Sequence, residues 1–108
     1  LAGNGITDNA LGIFCKALEQ NKSLQILWLD ENKIGNEGAK AIADVLEQNH
    51  TLKALELVRT QLGNEGANAI ADGLKQSQTL EKLVLSGNEI GDQGANAIAD
   101  ALKQNQTL

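Results

Sequence analysis

The sequence predicts an α/β solenoid, with parallel strands lining a concave face and helices covering a convex one. Three observations lead there. Leu24, Leu52, Leu80 and Leu108 stand 28 residues apart, and each opens a copy of one pattern. Within each copy the apolar period changes halfway, from strand alternation to a helical stripe. The chain has no proline, which suits uninterrupted regular elements.

Each element follows from its own period. Residues 1–3 read as the stump of a strand. Leu11, Phe14, Cys15 and Leu18 fall at i, i+3, i+4 and i+7, which predicts a helix over 8–20. Leu27 and Leu29 alternate with variable neighbours and predict a strand over 25–29. Ala39, Ile42, Ala43 and Leu46 restore the helical stripe over 36–48. Leu55 and Leu57 then give a strand at 53–57, and Ala67, Ile70, Ala71 and Leu74 a helix at 64–76. Leu83 and Leu85 mark a strand at 81–85, and Ala95, Ile98, Ala99 and Leu102 a helix at 92–104. Leu108 opens a further strand. Successive strands run the same way, so they pair in parallel. A helix is roughly 10 Å wide, whereas paired strands sit about 4.8 Å apart, so the helical side takes the longer arc. The expected organisation is one domain, 1–108, with a partial repeat 1–23 and repeats 24–51, 52–79 and 80–107.

The three complete copies read Leu24-x-x-Leu27-x-Leu29-x-x-Asn32-x-Ile34, Leu52-x-x-Leu55-x-Leu57-x-x-Thr60-x-Leu62 and Leu80-x-x-Leu83-x-Leu85-x-x-Asn88-x-Ile90. This spacing resembles the leucine-rich repeat. The string Ile-Gly-Asn-Glu-Gly-Ala-x-Ala-Ile-Ala-Asp, from Ile34 to Asp44 and nearly again from Ile90, is similar to the ribonuclease-inhibitor-like subclass. It is most like repeats of NOD-like receptors, and more distantly like those of Ran GTPase-activating proteins. The resemblance implies a leucine-rich-repeat solenoid, a horseshoe segment that acts by binding a protein.

Composition narrows the function classes. Of 108 residues, 42% are apolar, enough for a core. Phe14 and Trp28 are the only aromatics, so that core is aliphatic. A formal charge of -5 repels phosphate backbones and argues against nucleic acid. No apolar run approaches the roughly 18 residues of a membrane span. No signal-peptide pattern opens the chain, although it starts in mid-repeat. Cys15 is the only cysteine; it can form no internal disulfide and fits a reducing, cytoplasmic setting.

Several columns of the repeat admit a structural and a functional reading. Asn4, Asn32, Thr60 and Asn88 stand where the chain leaves the strand, where an amide satisfies turning backbone. Thr60 reaches less far, so the middle turn is expected to be the least well fixed. Gly35/Gly38, Gly63/Gly66 and Gly91/Gly94 open the helices and are expected to let helix and strand layers approach. Asp8, Glu37, Glu65 and Asp92 in the first turns complement the helix dipoles and oppose a phosphate there. Asn21, Asn49 and Asn105 each begin a glycosylation triplet, but as helix-ending residues they are expected to adopt the left-handed conformation. Gly73 stands in a helix column with Ala17, Val45 and Ala101, read as lying off the core face, so Gly73→Ala is expected to stabilise. Cys15 faces the core and His50 lies in a loop, so they are not expected to meet. No catalytic, metal-binding or cofactor-binding set is predicted.

The informative surface is the outward face of the strands. It presents Ile26, Trp28, Asp30 and Glu31 from the first complete repeat. The second adds Ala54, Glu56, Val58 and Arg59, and the third Lys82, Val84, Ser86 and Gly87. An exposed tryptophan among aliphatics, ringed by charges, has the composition of a protein-binding hot spot. The expected function is protein–protein recognition through this face, in a fragment of a larger receptor, scaffold or regulator. The alternatives are a Ran-type GTPase-activating regulator and a structural or engineered repeat spacer. The chain begins inside a strand and stops on a core leucine, so uncapped edges are expected to favour end-to-end self-association.

Overall fold

The computed structural model describes Gly5 and residues 7–105. The expectations for residues 1–3, Asn4 and Leu108 lie outside the described residues. The elements run α1 (Asp8–Gln20), β1 (Ile26–Trp28), α2 (Asn36–Gln48), β2 (Ala54–Glu56), α3 (Gly63–Gln76), β3 (Lys82–Val84) and α4 (Asp92–Gln104). The strands form one parallel sheet in the order β1-β2-β3. Ile26, Ala54 and Lys82 are in register, as are Leu27, Leu55 and Leu83, and Trp28, Glu56 and Val84. Backbone pairing continues past the strand ends: the Glu31 N–H donates to Val58 O and the Arg59 N–H to Ser86 O, both at 2.9 Å. The helices pack in sequence, α1 on α2, α2 on α3 and α3 on α4. The helices and alternating strands expected within the described residues are all present, with each strand shorter than expected by one residue at either end.

Leucines from strands and helices meet between the two layers. Leu27, Leu29, Leu55 and Leu57 are buried, and so are Leu11, Leu18, Ile42, Leu46, Ile70 and Leu74. Leu83 and Leu85 are partly buried against this core. On α4 the equivalent face is open, with Leu102 45% exposed, because no described element packs beyond it.

Polar groups in this core are satisfied mostly by the neighbouring repeat. Asn49 is buried at the end of α2. Its amide donates to Leu18 O at 2.7 Å and to Asn21 O at 3.1 Å, capping the helix before it. Its Oδ1 accepts from the N–H groups of Thr51 and Leu52. Asn105 does the same for α3, donating to Leu74 O and Ser77 O. Asn21, Asn49 and Asn105 have extended, not left-handed, backbone. Asn49 and Asn105 are therefore held by cross-repeat bonds rather than by tolerance of positive φ, and Asn21 accepts from the Ser23 and Leu24 N–H groups of its own loop. The buried, doubly bonded Asn49 amide leaves no nitrogen for a glycan.

The starts of α2 and α4 use the same device. Thr7 caps α1 directly, its Oγ1 accepting from the Ala10 N–H. The caps of α2 and α4 are Gly35 and Gly91, which carry no capping side chain. Asp8 Oδ1, one repeat back, accepts from the Gly35 N–H at 2.9 Å. Asn64 Oδ1 accepts from Gly91 and Gly94 at 2.8 and 2.9 Å. A Cβ on Gly35 or Gly38 would lie 2.6 Å from an Asp8 oxygen. Gly35/Gly38 and Gly91/Gly94 thus admit a capping side chain from the preceding helix, rather than the close approach of helix and strand layers expected from sequence. By contrast, a Cβ on Gly63 would meet nothing, and one on Gly66 would meet the Leu62 side chain.

The middle turn departs from the others, but not by being loose. Thr60 is fully buried. Its N–H donates to Asn88 Oδ1 at 2.8 Å, and its hydroxyl lies 3.1 Å from Leu57 O and 3.0 Å from Asn88 Oδ1. Asn88 also accepts from the Leu62 N–H and donates to Leu57 O and Leu85 O. Asn88 from the following repeat thus supplies the amide that Thr60 lacks. The departure appears in the backbone, where Gln61 and Gly63 take φ of 58° and 70°.

Gly73 overturns another expectation. Its column is the helix–helix contact: Val45, Gly73 and Ala101 are all buried. A Cβ on Gly73 would lie 2.9 Å from both the Cα and the carbonyl oxygen of Ala43. Backbone cannot yield as a side chain can. We therefore expect Gly73→Ala to lose about 1–3 kcal/mol to overpacking, more than its helix-propensity gain. Urea unfolding checks this, and a raised midpoint would refute the tight contact. Leu57, with no exposed surface, is expected to lose roughly 2–5 kcal/mol as Leu57→Ala. The exposed Lys53→Ala is the reference, and equal midpoints would refute the strand-face assignment.

Candidate functional site: the outer face of the sheet

Alternation along the strands sends Leu27, Leu55 and Leu83 inward and their neighbours outward. The parallel register assembles those neighbours into rows. Ile26, Ala54 and Lys82 form one row, and Trp28, Glu56 and Val84 the next. Asp30, Val58 and Ser86 follow as the chains leave the strands. Ile26 is 55% exposed and Trp28 54%. Ala54, Glu56, Val58 and Val84 are half-buried, and Lys82 is exposed. Glu31, Arg59 and Gly87 lie past the strand ends, one residue beyond the row of Asp30, Val58 and Ser86.

Their charges are not equally available. Asp30 Oδ1 accepts from the Val58 N–H at 2.8 Å, so this acid serves the sheet. Glu31 and Arg59 meet at 3.5 Å across adjacent repeats, both side chains more than half exposed. That pair contributes little to stability. Glu31, Arg59 and Gly87 share a left-handed backbone position, with φ of 60°, 53° and 74°. Glycine is the unstrained occupant, so the two charged residues hold a conformation that L side chains seldom adopt. Glu56 and Lys82 make no ion pair with a described residue.

Cys15 is buried in α1. Burial, followed by the nearby Glu19 and Asp44 carboxylates, pushes its thiol up to about 12, where it is neither a nucleophile nor a thiolate ligand at neutral pH. His50 is exposed, on the loop after α2. Among the described residues no group of three or more His, Cys, Asp or Glu side chains could hold a metal. No described helix is long and apolar enough to cross a membrane.

Sequence reading missed a second surface. An open groove of about 910 Å³ runs between α1 and α2 on the helical side, past Gly12, Ile13, Lys16, Lys40 and Asp44. Ile13 is 72% exposed there. The signal was present, since Ile13 occupies a column otherwise held by Ala41, Ala69 and Ala97.

Comparison with known proteins supports the same architecture. A leucine-rich repeat profile matches residues 20–43, 48–71 and 76–99. A solved structure of leiomodin-1 actin-binding site 2 superposes with a TM-score of 0.90 at 32% identity. That match covers 100% of this chain and 65% of that one, so this chain spans under two thirds of its length. The C-terminal domain of a Caenorhabditis elegans tropomodulin superposes with a TM-score of 0.50 at 14% identity, over 93% of this chain and 77% of that one, and shares the fold. No curated protein matches the chain. With the repeat profile recurring three times along it, the chain belongs to the leucine-rich repeat family.

Proposed function

We propose that this chain is a protein-binding module that docks its partner on the outer face of the sheet, with Trp28 as the anchor. The observation that carries this reading is the pair Ile26 and Trp28, each more than half exposed beside half-buried Ala54, Val58 and Val84. A folded chain gains nothing from leaving its only tryptophan in water, whereas aromatic anchors dominate binding energies. The repeat family and a neighbour solved as an actin-binding site favour actin as the first partner to test. A helix of 13 or 14 residues in each repeat supports assignment to the ribonuclease-inhibitor-like subclass. The reading assigns no catalysis, and a free buried thiol at Cys15 favours a cytoplasmic setting.

Binding to monomeric actin, followed by a label on actin, tests the proposal. Trp28→Ala is expected to lose about 2 kcal/mol of affinity, roughly thirtyfold. Asp72→Ala, exposed on α3, is expected to change affinity little. Equal losses at both positions would move the interface off the sheet, and a wild-type chain that ignores actin would remove actin as the partner.

A further inference from the structure

The outer face of the sheet carries charged side chains alongside its only tryptophan. The face carries three acids and two bases, and two of the acids are already engaged. Asp30 holds the Val58 amide, and Glu31 pairs with Arg59. Glu56 remains. It is half-buried, makes no ion pair with a described residue, and stands in register beside Trp28 on the neighbouring strand. Paired strands lie about 4.8 Å apart, so the carboxylate projects alongside the exposed indole. Lys82 sits on β3 one row away, beside Ala54 rather than beside Glu56.

An exposed indole face attracts a cation through its ring quadrupole, and guanidinium stacks on it best. A carboxylate beside the ring completes the charge, and a desolvated ion pair of this kind exceeds a fully exposed one. Ile26 and Val84 flank the pair along the strand and across the sheet and can cover the aliphatic stem of a long side chain. We infer that Trp28 and Glu56 form a receiving site for one arginine or lysine side chain of a partner's docking segment. Lys82 on the same face disfavours a second cation nearby, which selects an isolated basic residue over a polybasic run. This rests on the sheet-face reading above and adds the chemistry of the partner.

The chain reports on this site by itself, because Trp28 is its only tryptophan and it has no tyrosine. The probe is a short end-blocked peptide with one arginine between leucines and no aromatic residue. Titration is expected to change Trp28 emission saturably, while the same peptide with citrulline in place of arginine binds more weakly. Glu56→Gln is expected to weaken binding about threefold to tenfold, and Asp72→Asn, which removes the same charge from the exposed side of α3, to leave it unchanged. Equal binding of the two peptides, equal effects of the two substitutions, or no saturable change with wild type would each overturn the site. The two proposals separate cleanly. If Trp28→Ala weakens actin binding while the peptide titration fails, the sheet remains the interface and only its cation site falls.

Discussion

Each repeat of this protein depends on its neighbours for the hydrogen bonds that its own backbone lacks. A helix ends with carbonyls that have no partner within the helix, and a strand leaves the sheet with amides and carbonyls still unpaired. Buried and unpaired, each such group costs about 1–3 kcal/mol. Here the partner is a side chain from the adjacent copy. Asn49 reaches the end of α1, Asn105 the end of α3, and Asn88 the turn after β2. Asp8 and Asn64 reach forward to the starts of α2 and α4. The leucine stack supplies the driving force, but these bonds fix the offset at which repeats stack.

That fixed offset is what gives the sheet an ordered outer face. With Leu27, Leu55 and Leu83 in register, Trp28 stands beside Glu56, and Glu56 beside Val84. A slip of one residue would turn the leucines outward and dissolve the rows. Asp30 shows how closely the face and its support are joined. It lies on the candidate surface, yet it holds the Val58 amide that no strand partner takes. The outer face is therefore shaped in part by the requirements of folding, and Glu56 and Lys82 are the charged side chains on it that pair with no described residue.

Much of this was legible in the sequence because periodicity reports burial directly. The leucine spacing placed every described helix and strand, and alternation placed the two rows Ile26, Ala54, Lys82 and Trp28, Glu56, Val84. What escaped prediction depends on contacts between repeats, which a single period cannot show. Gly73 read as a replaceable helix residue, yet Ala43 backbone lies where its Cβ would be. Thr60 read as a weak turn, yet Asn88 supplies its missing amide. The helix-ending asparagines read as left-handed caps, yet all three are extended, and Asn49 and Asn105 are bonded to the preceding helix. The availability of Glu56, against the engagement of Asp30 and Glu31, likewise required the partners of each acid.

The claim that repeats complete one another is tested most directly at Asn88. Its side chain serves Leu57 O, Leu85 O and the N–H groups of Thr60 and Leu62. Native-state hydrogen exchange of Asn88→Ala reads this site amide by amide. The expected result is a marked loss of protection at Thr60 and Leu62 in the preceding repeat, with Ala71 and Leu74 in the middle of α3 still protected. Thr60 and Leu62 exchanging as slowly as in the unsubstituted chain would contradict it.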